Sequence, residues 1–231
     1  MKPLKTVPIS CQMLLKKFVA KSLKAKPKRW IMIDCKSISM TKSELRKIYL
    51  AKQTSLLREE RTRKSQKIAD RFFETFNLSE IDLLHCFIAI EKFNEIDTTL
   101  IFRRLWEEFP HITTVVPRVD FKTGEMQNLK FTSDTELVEN VWKIHEPSHD
   151  EFIETDKLDM ILVPLLCFDN VGHRVGHGKG FYDKFLSRCR RDCIKVGLSY
   201  FEPVEEISDV NELDVKLDFC VTPDEILTIQ E

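Results

Sequence analysis

The pattern of apolar and polar residues predicts two helices at the start of the folded part of the chain. Thr41 and Glu44 fit a capping box, in which the Thr41 hydroxyl and the Glu44 carboxylate each accept a hydrogen bond from the other residue's amide. A helix is expected to begin there, with Tyr49 on its apolar face. Residues 54–55 favour a break. A second helix then carries the apolar stripe Ile68, Phe72, Phe73 and Phe76.

Further along the chain, short apolar runs alternate with amphipathic stretches. Residues 118–131 alternate around Gly124, which predicts a β-hairpin with Gly124 at positive φ. The alternation favours an α/β fold, with one domain built on an open, mainly parallel sheet and helices on both faces. Strands are expected over residues 83–90, 112–116, 158–167, 194–200 and 219–221, and helices over 98–109 and 181–193.

Charge divides the chain into two parts. The net charge is -1, yet Met1 to Ile33 carries nine Lys or Arg and no acid. We therefore expect a basic N-terminal extension over residues 1–40, either disordered or a targeting segment, and a catalytic domain over residues 41–231. An acid-poor basic segment is typical of mitochondrial import, although Lys rather than Arg predominates here. The expectation is a cytoplasmic protein, with a mitochondrial location as the alternative.

The apolar runs and the cysteines exclude two further classes. The longest apolar run, residues 160–168, is far short of the roughly 18 to 20 residues of a membrane helix. We expect a soluble protein with no membrane partner. The seven cysteines are odd in number and form no CxxC pair. Reduced thiols in an intracellular compartment are therefore expected, without a disulfide framework or a zinc knuckle.

Glycine is concentrated at one place. Of six glycines, four lie between residues 172 and 180, after a buried strand and before an amphipathic helix. Such a turn directs several backbone N–H groups and a helix N-terminus at one spot, which favours an anion or a phosphate. Arg174 and Lys179 add full positive charges. The alternative is a tight turn that binds nothing.

Known glycine motifs do not fit this loop. A Walker A sequence ending at Lys179 requires Gly where the chain has His173, and Ser or Thr where it has Gly180. A dinucleotide fingerprint requires Gly where the chain has Phe181. Asp183, about one turn into the helix, is either a favourable acid near a helix start or a ligand of Mg²⁺.

Residues 145–149 match the HExxH sequence of zinc proteases. That motif requires a helix, and Pro147 inside one would clash with the preceding turn at a cost of about 3 kcal/mol. We expect no zinc site here.

The motifs taken in order resemble the 5-formyltetrahydrofolate cyclo-ligases, also called 5,10-methenyltetrahydrofolate synthetases. The centre of the resemblance is the sequence from Arg174 to Asp183, and it runs from about Lys42 to Thr222. It also includes residues 42–46, 94–98, 117–118 and 211–218.

The resemblance implies a fold of the NagB/RpiA/CoA transferase-like kind and an ATP- and Mg²⁺-dependent ligase. The implied reaction converts 5-formyltetrahydrofolate to 5,10-methenyltetrahydrofolate and releases ADP and phosphate. In that family the formyl oxygen attacks the γ-phosphate to give an iminium phosphate, and N10 then closes the ring. Reduced folate and ATP are the expected partners of a monomer, and no nucleic acid is expected.

The resemblance also implies roles for particular residues. For ATP these are Lys42, Arg46, Arg174, Gly176, Gly178, Lys179, Gly180, Phe181 and Tyr182. For the folate they are Ile90, Glu95, Trp142, His177, Gly178, Lys179, Gly180 and Phe181, with Glu95 binding the pterin. Asp183 and Asp214 are the implied Mg²⁺ ligands, and the implied catalytic residues are Lys179, Arg174 and Tyr182.

Two departures accompany the resemblance. Val175 stands where Leu is usual, and Phe181 replaces the first of two usual tyrosines, which would lower turnover if that hydroxyl orients the substrate. The alternative to an enzyme is a non-catalytic relative that binds RNA or a protein through its basic extension. The chain carries both of the implied metal-binding acids, which favours the enzyme.

Overall fold

The computed structural model describes residues 39–120, 122–140 and 144–229, and these all belong to one compact unit. No helix in those ranges is both long and apolar enough to span a membrane. The basic extension, apart from its last two residues, lies outside the described part of the chain, so its role stays a prediction. The helices are α1 (Lys42–Ser55), α2 (Arg58–Thr75), α3 (Thr99–Glu108) and α4 (Phe181–Leu186), with 3₁₀ turns at Glu91–Phe93 and Thr155–Lys157.

The capping box at the start of α1 is formed as predicted. The Thr41 hydroxyl accepts from the Glu44 amide at 3.3 Å, and a carboxylate oxygen of Glu44 accepts from the Thr41 amide at 2.9 Å. The helix ends at Ser55, and α2 begins three residues later. The predicted helix start is confirmed, whereas the break lies at residues 56–57, just after the predicted residues 54–55, which are still helical.

The described residues form twelve strands: β1 (Leu83–Cys86), β2 (Thr113–Asp120), β3 (Glu125–Lys130), β4 (Leu137–Glu139), β5 (His145–Pro147), β6 (Phe152–Ile153), β7 (Met160–Pro164), β8 (Cys167–Phe168), β9 (Arg174–Val175), β10 (Ile194–Leu198), β11 (Phe219–Val221) and β12 (Ile226–Thr228). Eight of them form the main sheet, in the order β12-β11-β10-β7-β1-β2-β3-β6. Two further pairs, β4 with β5 and β8 with β9, form short hairpins.

The centre of the sheet is parallel and its edges are antiparallel. Strand β7 pairs in parallel with β1 and β10, β1 with β2, and β10 with β11. Strands β12, β3 and β6 join as antiparallel edges. The predicted open, mainly parallel sheet is confirmed. So is the hairpin between β2 and β3, where Gly124 has a φ of 69°.

Helices cover both faces of this sheet, again as predicted. Neighbouring residues of β7 point to opposite faces, because side chains alternate along a strand. Leu162 lies in the same cluster as Phe72 of α2 and Phe102 of α3. Ile161 lies in the other cluster, with Phe185 of α4.

The helix predicted over residues 181–193 is wrong in its second half, because α4 ends at Leu186. The amides of Arg188 and Cys189 bond to carbonyls only three residues back, which tightens the last turn. Arg190 then forms ion pairs with Asp159 and Asp192. These contacts turn the chain into β10, whose first amide bonds to the Asp159 carbonyl.

Several predicted strand limits also require correction. The strand predicted over 83–90 ends at Cys86, and the one predicted over 194–200 ends at Leu198. The strand predicted over 158–167 is divided, because β7 stops at Pro164, which has no N–H with which to continue the ladder. The strand predicted over 112–116 instead continues to Asp120 as one arm of the hairpin. The prediction omitted the short strands β4, β5, β6, β9 and β12.

The HExxH sequence does not lie on a helix. Its first three residues, His145–Pro147, form strand β5, paired with β4. No group of three or more His, Cys, Asp or Glu side chains among the described residues is arranged to hold a metal ion. The expectation about the geometry of this motif is confirmed.

Candidate functional site

The glycine-rich loop joins β9 to α4 above the carboxyl ends of the parallel strands. Gly178 has a φ of 86°, and Gly180, the N-cap residue of α4, has a φ of 70°. Glycine adopts this left-handed region at no steric cost, so both positions explain why the loop is rich in glycine. Helix α4 has only six residues. Side-chain cations therefore contribute more positive charge at this loop than the helix dipole does.

Helix α1 lies directly against the loop through Arg46. The Nε of Arg46 donates to the carbonyl of Gly176 at 2.9 Å. A Cβ atom at Gly178 would lie 2.9 Å from Arg46 Cζ, so the guanidinium packs where only glycine leaves room. The structure thus brings together an N-terminal residue and a loop residue that lie 130 positions apart in the chain.

Lys42, one turn before Arg46, pairs with Asp214 on a different loop. Its Nζ lies 2.5 Å from Asp214 Oδ2, and both side chains are largely buried. The Asn211 amide donates to the same carboxylate at 2.7 Å. Burial alone would raise the pKa of Asp214, but the hydrogen bonds from Lys42 and Asn211 outweigh it and hold the pKa below its usual value.

Arg174 pairs with the second predicted metal ligand. It donates to Asp183 Oδ1 at 2.6 Å and also bonds to the carbonyl of Val215, next to Asp214. Its side chain is only 6% exposed. Burial lowers the pKa of Arg174, while the negative charges of Asp183 and Asp214 oppose that shift. Two cations and two carboxylates therefore form one charged cluster beside the glycine loop.

The two carboxylates of this cluster have donor oxygens of the type that Mg²⁺ prefers. Mg²⁺ sites commonly use one or two carboxylates and complete the shell with water and phosphate oxygens. Asp183 accepts its hydrogen bonds on Oδ1 and Asp214 on Oδ2. The other oxygen of each accepts none from the described residues, so the donor set fits a magnesium ion.

Glu95 lies in a buried position after β1. Its Oε2 accepts from the amide of Ile90 at 2.8 Å, and its side chain is 9% exposed. Burial raises the pKa of Glu95 to about 7, although the bond from Ile90 lowers it. A buried carboxylate with an oxygen to spare is suited to accept N–H donors from a heterocycle.

His177 connects the glycine loop to Glu95. Its Nδ1 lies 4.0 Å from Glu95 Oε1, and its ring packs on Phe93 with the ring centres 4.7 Å apart. Burial lowers the pKa of His177, and the nearby Arg46 lowers it further. The imidazole of His177 therefore lies between the loop and the buried acid.

Tyr182 has a buried hydroxyl that finds no hydrogen-bond partner among the described residues. Burial raises the pKa of Tyr182 well above its usual value, with further contributions from Cys86 and Glu95. Its ring packs against His85, whose two ring nitrogens are also buried and unpartnered within the described part of the chain. Burial lowers the pKa of His85 to about 3, so the imidazole is neutral. Buried polar groups are nearly always hydrogen-bonded, so these two unpartnered side chains in contact are an exception within the core.

The remaining predicted site residues are placed as follows. Lys179 is exposed and forms no hydrogen bond or ion pair with any described residue. Phe181 begins α4 and is partly buried. Ile90 presents its amide to Glu95. Trp142 lies outside the described residues, so its predicted contact with the folate stays a prediction.

Sequence reasoning missed Phe93 and His85. Phe93 lies between the strand predicted over 83–90 and the helix predicted over 98–109, where a 3₁₀ turn forms. His85 is a polar residue inside a run of apolar residues, and this mismatch was the available signal.

The fold and the site together define an α/β protein with a cationic glycine loop and a buried carboxylate at the carboxyl edge of its sheet. The profile of the 5-formyltetrahydrofolate cyclo-ligase family matches residues 38–223. The chain belongs to that family of enzymes.

Individual relatives agree with this assignment. The chain is 27% identical over 193 residues to the mouse (Mus musculus) 5-formyltetrahydrofolate cyclo-ligase, covering 79% of this chain and 93% of the mouse protein. It is 33% identical over 135 residues to the Escherichia coli K12 protein of the same name, covering 57% and 74%. The solved Aquifex aeolicus 5,10-methenyltetrahydrofolate synthetase superposes with a TM-score of 0.70 at 29% identity, covering 83% and 94% of the two chains.

Proposed function

We propose that this chain converts 5-formyltetrahydrofolate to 5,10-methenyltetrahydrofolate, with ATP as co-substrate and Mg²⁺ as cofactor, and releases ADP and phosphate. One observation carries the proposal beyond family membership. The same loop contacts Arg46, one turn after Lys42 of the charged cluster, through Gly176 and Gly178, and it faces Glu95 through His177. A single loop therefore lies between a cluster of charged residues suited to bind phosphate groups and a buried carboxylate suited to accept hydrogen bonds from a heterocycle.

The proposed ATP site is the loop together with the start of α1. Lys42, Arg46 and Lys179 supply positive charge, and the loop residues Gly176, Gly178, Gly180, Phe181 and Tyr182 supply backbone amides. Phosphoryl transfer requires mainly positioning and charge neutralisation. Because Lys179 is free of partners among the described residues, its ammonium group is available for the transferring phosphate.

The proposed reaction has two steps. The formyl oxygen of the folate attacks the γ-phosphorus of ATP, the bond to the β-γ bridging oxygen breaks, and ADP leaves. N10 then attacks the activated formyl carbon and loses its proton, which the departing phosphate takes up as the C–O bond breaks and phosphate leaves with that oxygen. Phosphorylation makes the oxygen a good leaving group. Lys179 and Arg174 would stabilise the developing charge, and Tyr182 would orient the reacting groups with its unpartnered hydroxyl.

Asp183 and Asp214 are the proposed ligands of Mg²⁺, through Asp183 Oδ2 and Asp214 Oδ1. When bound, the ion would neutralise phosphate charge. Arg174 and Lys42 hold the two carboxylates in place until then.

Glu95 is the proposed anchor for the pterin, whose 2-amino-pyrimidinone edge offers two N–H donors. The other proposed folate contacts are Ile90, Trp142, His177, Gly178, Lys179, Gly180 and Phe181.

We also propose residues 41–231 as the catalytic domain. A relative from Arabidopsis thaliana is named as mitochondrial, which supports import as the alternative to a cytoplasmic location.

Release of ADP tests the nucleotide part of the proposal. Purified protein is mixed with ATP, Mg²⁺ and 5-formyltetrahydrofolate, and ADP and phosphate are measured against reactions that lack folate or contain a chelator. We expect one ADP for each folate converted. The reaction without folate and the reaction with the chelator should release no ADP. ADP formed at the same rate without folate would contradict coupling of the two substrates.

A further inference from the structure

Phe93 is held in a fixed position by the last turn of α1. The side-chain amide of Gln53 donates to the Phe93 carbonyl at 2.8 Å, and Gln53 is only 4% exposed. The next residue, Asn94, adopts φ 53° and donates to the carbonyls of Gln53 and Thr54 at 3.3 and 3.1 Å. The left-handed region is costly for a residue other than glycine, so these bonds keep the turn in one conformation.

The fixed ring of Phe93 carries a second flat ring on its face. His177 packs on it at 4.7 Å between centres, with the planes 37° apart. The ammonium of Lys92 lies 5.1 Å from the centre of the same ring. His177 Nδ1 also lies 4.0 Å from Glu95 Oε1. That oxygen accepts no hydrogen bond from the described residues, whereas Oε2 is bonded to the Ile90 amide.

This arrangement has the chemistry expected of a bound heterocycle. A flat ring lies on Phe93 and directs a nitrogen at the spare oxygen of a buried carboxylate. The pyrimidinone half of a pterin is also flat, and it carries N–H groups at its edge. His177 thus occupies a position in which a pterin would stack on Phe93 with its N–H edge facing Glu95, although His177 Nδ1 itself, at 4.0 Å, is too far from Glu95 for a hydrogen bond.

We propose that Phe93 is the stacking surface for the pterin ring of the folate, and that the ring takes over the position that His177 holds on Phe93. The inference rests on the proposed function and adds to it a residue for substrate binding. Ring stacking on Phe93 and the hydrogen bonds to Glu95 together orient the folate. His177 gives up its place on Phe93 when the substrate enters.

Two substitutions separate a stacking role from simple packing. Phe93→Leu keeps an apolar side chain but removes the flat ring, whereas Phe93→Tyr keeps the ring. Phe152→Leu is the matched control, because Phe152 is half exposed on the edge strand β6 and has no proposed role in the site. The measurements are KM for 5-formyltetrahydrofolate, KM for ATP, kcat and the melting temperature.

For Phe93→Leu we expect KM for the folate to rise about 3- to 10-fold, the loss that one aromatic stacking interaction gives. KM for ATP and kcat should stay within about twofold of the parent, and Phe93→Tyr and Phe152→Leu should match the parent throughout. An unchanged folate KM in Phe93→Leu would overturn the proposal. So would an equal rise in the KM for ATP, because this would mean that Phe93 only supports the loop.

The parent protein shows whether the proposed function itself fails. If the parent turns over and Phe93→Leu equals it, only the stacking role is wrong. If the parent forms no product, calorimetric binding of 5-formyltetrahydrofolate without ATP replaces the KM comparison. Weaker binding by Phe93→Leu than by the parent would then support the stacking role, and equal binding or no binding by the parent would overturn it.

Discussion

The guanidinium of Arg46 fills the space into which a side chain at residue 178 would extend. A Cβ at Gly178 would lie 2.9 Å from both Arg46 Cζ and Nε, closer than such atoms approach in folded proteins. The same arginine bonds to the carbonyl of Gly176. The contact between α1 and the glycine loop therefore depends on the absence of one side chain.

Gly178→Ala should destabilise the loop and separate Arg46 from it. The φ of 86° strains any other residue, at a cost of about 1–3 kcal/mol, and the Cβ also displaces the guanidinium. We expect a lower free energy of unfolding and a higher KM for ATP. Urea unfolding and steady-state kinetics measure both.

Two other glycines of the loop act as controls for stability. A Cβ at Gly176 would meet nothing within 4 Å, so Gly176→Ala should unfold like the parent. At Gly180 the space is also open, but φ is 70°. Gly180→Ala should therefore lower the free energy of unfolding only through backbone strain, without a steric clash. Equal stabilities for all three variants would refute this explanation of the loop.

Glu95 should make folate binding depend on pH. Burial raises its pKa to about 7, so the carboxylate is mostly protonated at pH 6 and mostly ionised at pH 8. An ionised carboxylate accepts N–H donors on both oxygens, so KM for the folate should fall roughly tenfold across this range. Steady-state kinetics between pH 6 and pH 8 give the profile.

Glu95→Gln is the control for this profile. Its KM should be higher than that of the parent at pH 8 and flat across the range. The folded protein holds the proton of Glu95 more tightly than the unfolded chain does. Stability from the neutral acid is therefore present below pH 4.5 and is lost as the pH rises through about 7, and Glu95→Gln should not show that loss. A pH profile that survives the substitution would exclude Glu95 as its source.

Asp183→Asn should weaken the use of magnesium. Neutralising one of two carboxylate ligands removes charge stabilisation of several kcal/mol, so kcat should fall at least about 100-fold at fixed Mg²⁺. A magnesium titration should show a higher half-saturating concentration. Asp224→Asn, at an exposed aspartate paired with Lys67, should match the parent. A fully active Asp183→Asn protein would remove Asp183 from the metal site.

Lys179→Gln should affect activity without affecting stability. Its side chain is exposed and has no hydrogen bond or ion pair to lose among the described residues. If its ammonium meets the transferring phosphate, kcat should fall about 100- to 1000-fold while the melting temperature stays unchanged. Thermal unfolding and kcat are measured on the same preparation. A large fall in melting temperature would show that Lys179 has a structural role.

The sequence predicted those parts of the fold that depend on interactions between residues close together in the chain. The Thr41 and Glu44 capping box, the hairpin glycine at residue 124 and the buried strand β7 involve neighbouring residues or a continuous apolar run. The limits of α4 could not be predicted in the same way. Its end depends on Arg190 pairing with Asp159, a residue 31 positions earlier in the chain.

The residues of the candidate site could be predicted only where the resemblance to the cyclo-ligase family implies a role for them. Lys42, Asp214 and the glycine loop were all expected, and the structure brings them together. The contact between His177 and Phe93 was not predicted, because it is a tertiary contact between segments that are distant in the sequence. Nor does local sequence show that His85 and the Tyr182 hydroxyl are both buried without partners.

The most direct test of the central claim is formation of the product itself. Purified protein is given 5-formyltetrahydrofolate, ATP and Mg²⁺, and the strong near-ultraviolet absorbance of 5,10-methenyltetrahydrofolate is followed. We predict a steady rise that requires ATP and that Asp183→Asn and Lys179→Gln nearly abolish. Folded protein that gives no rise in the complete mixture would contradict the proposed function.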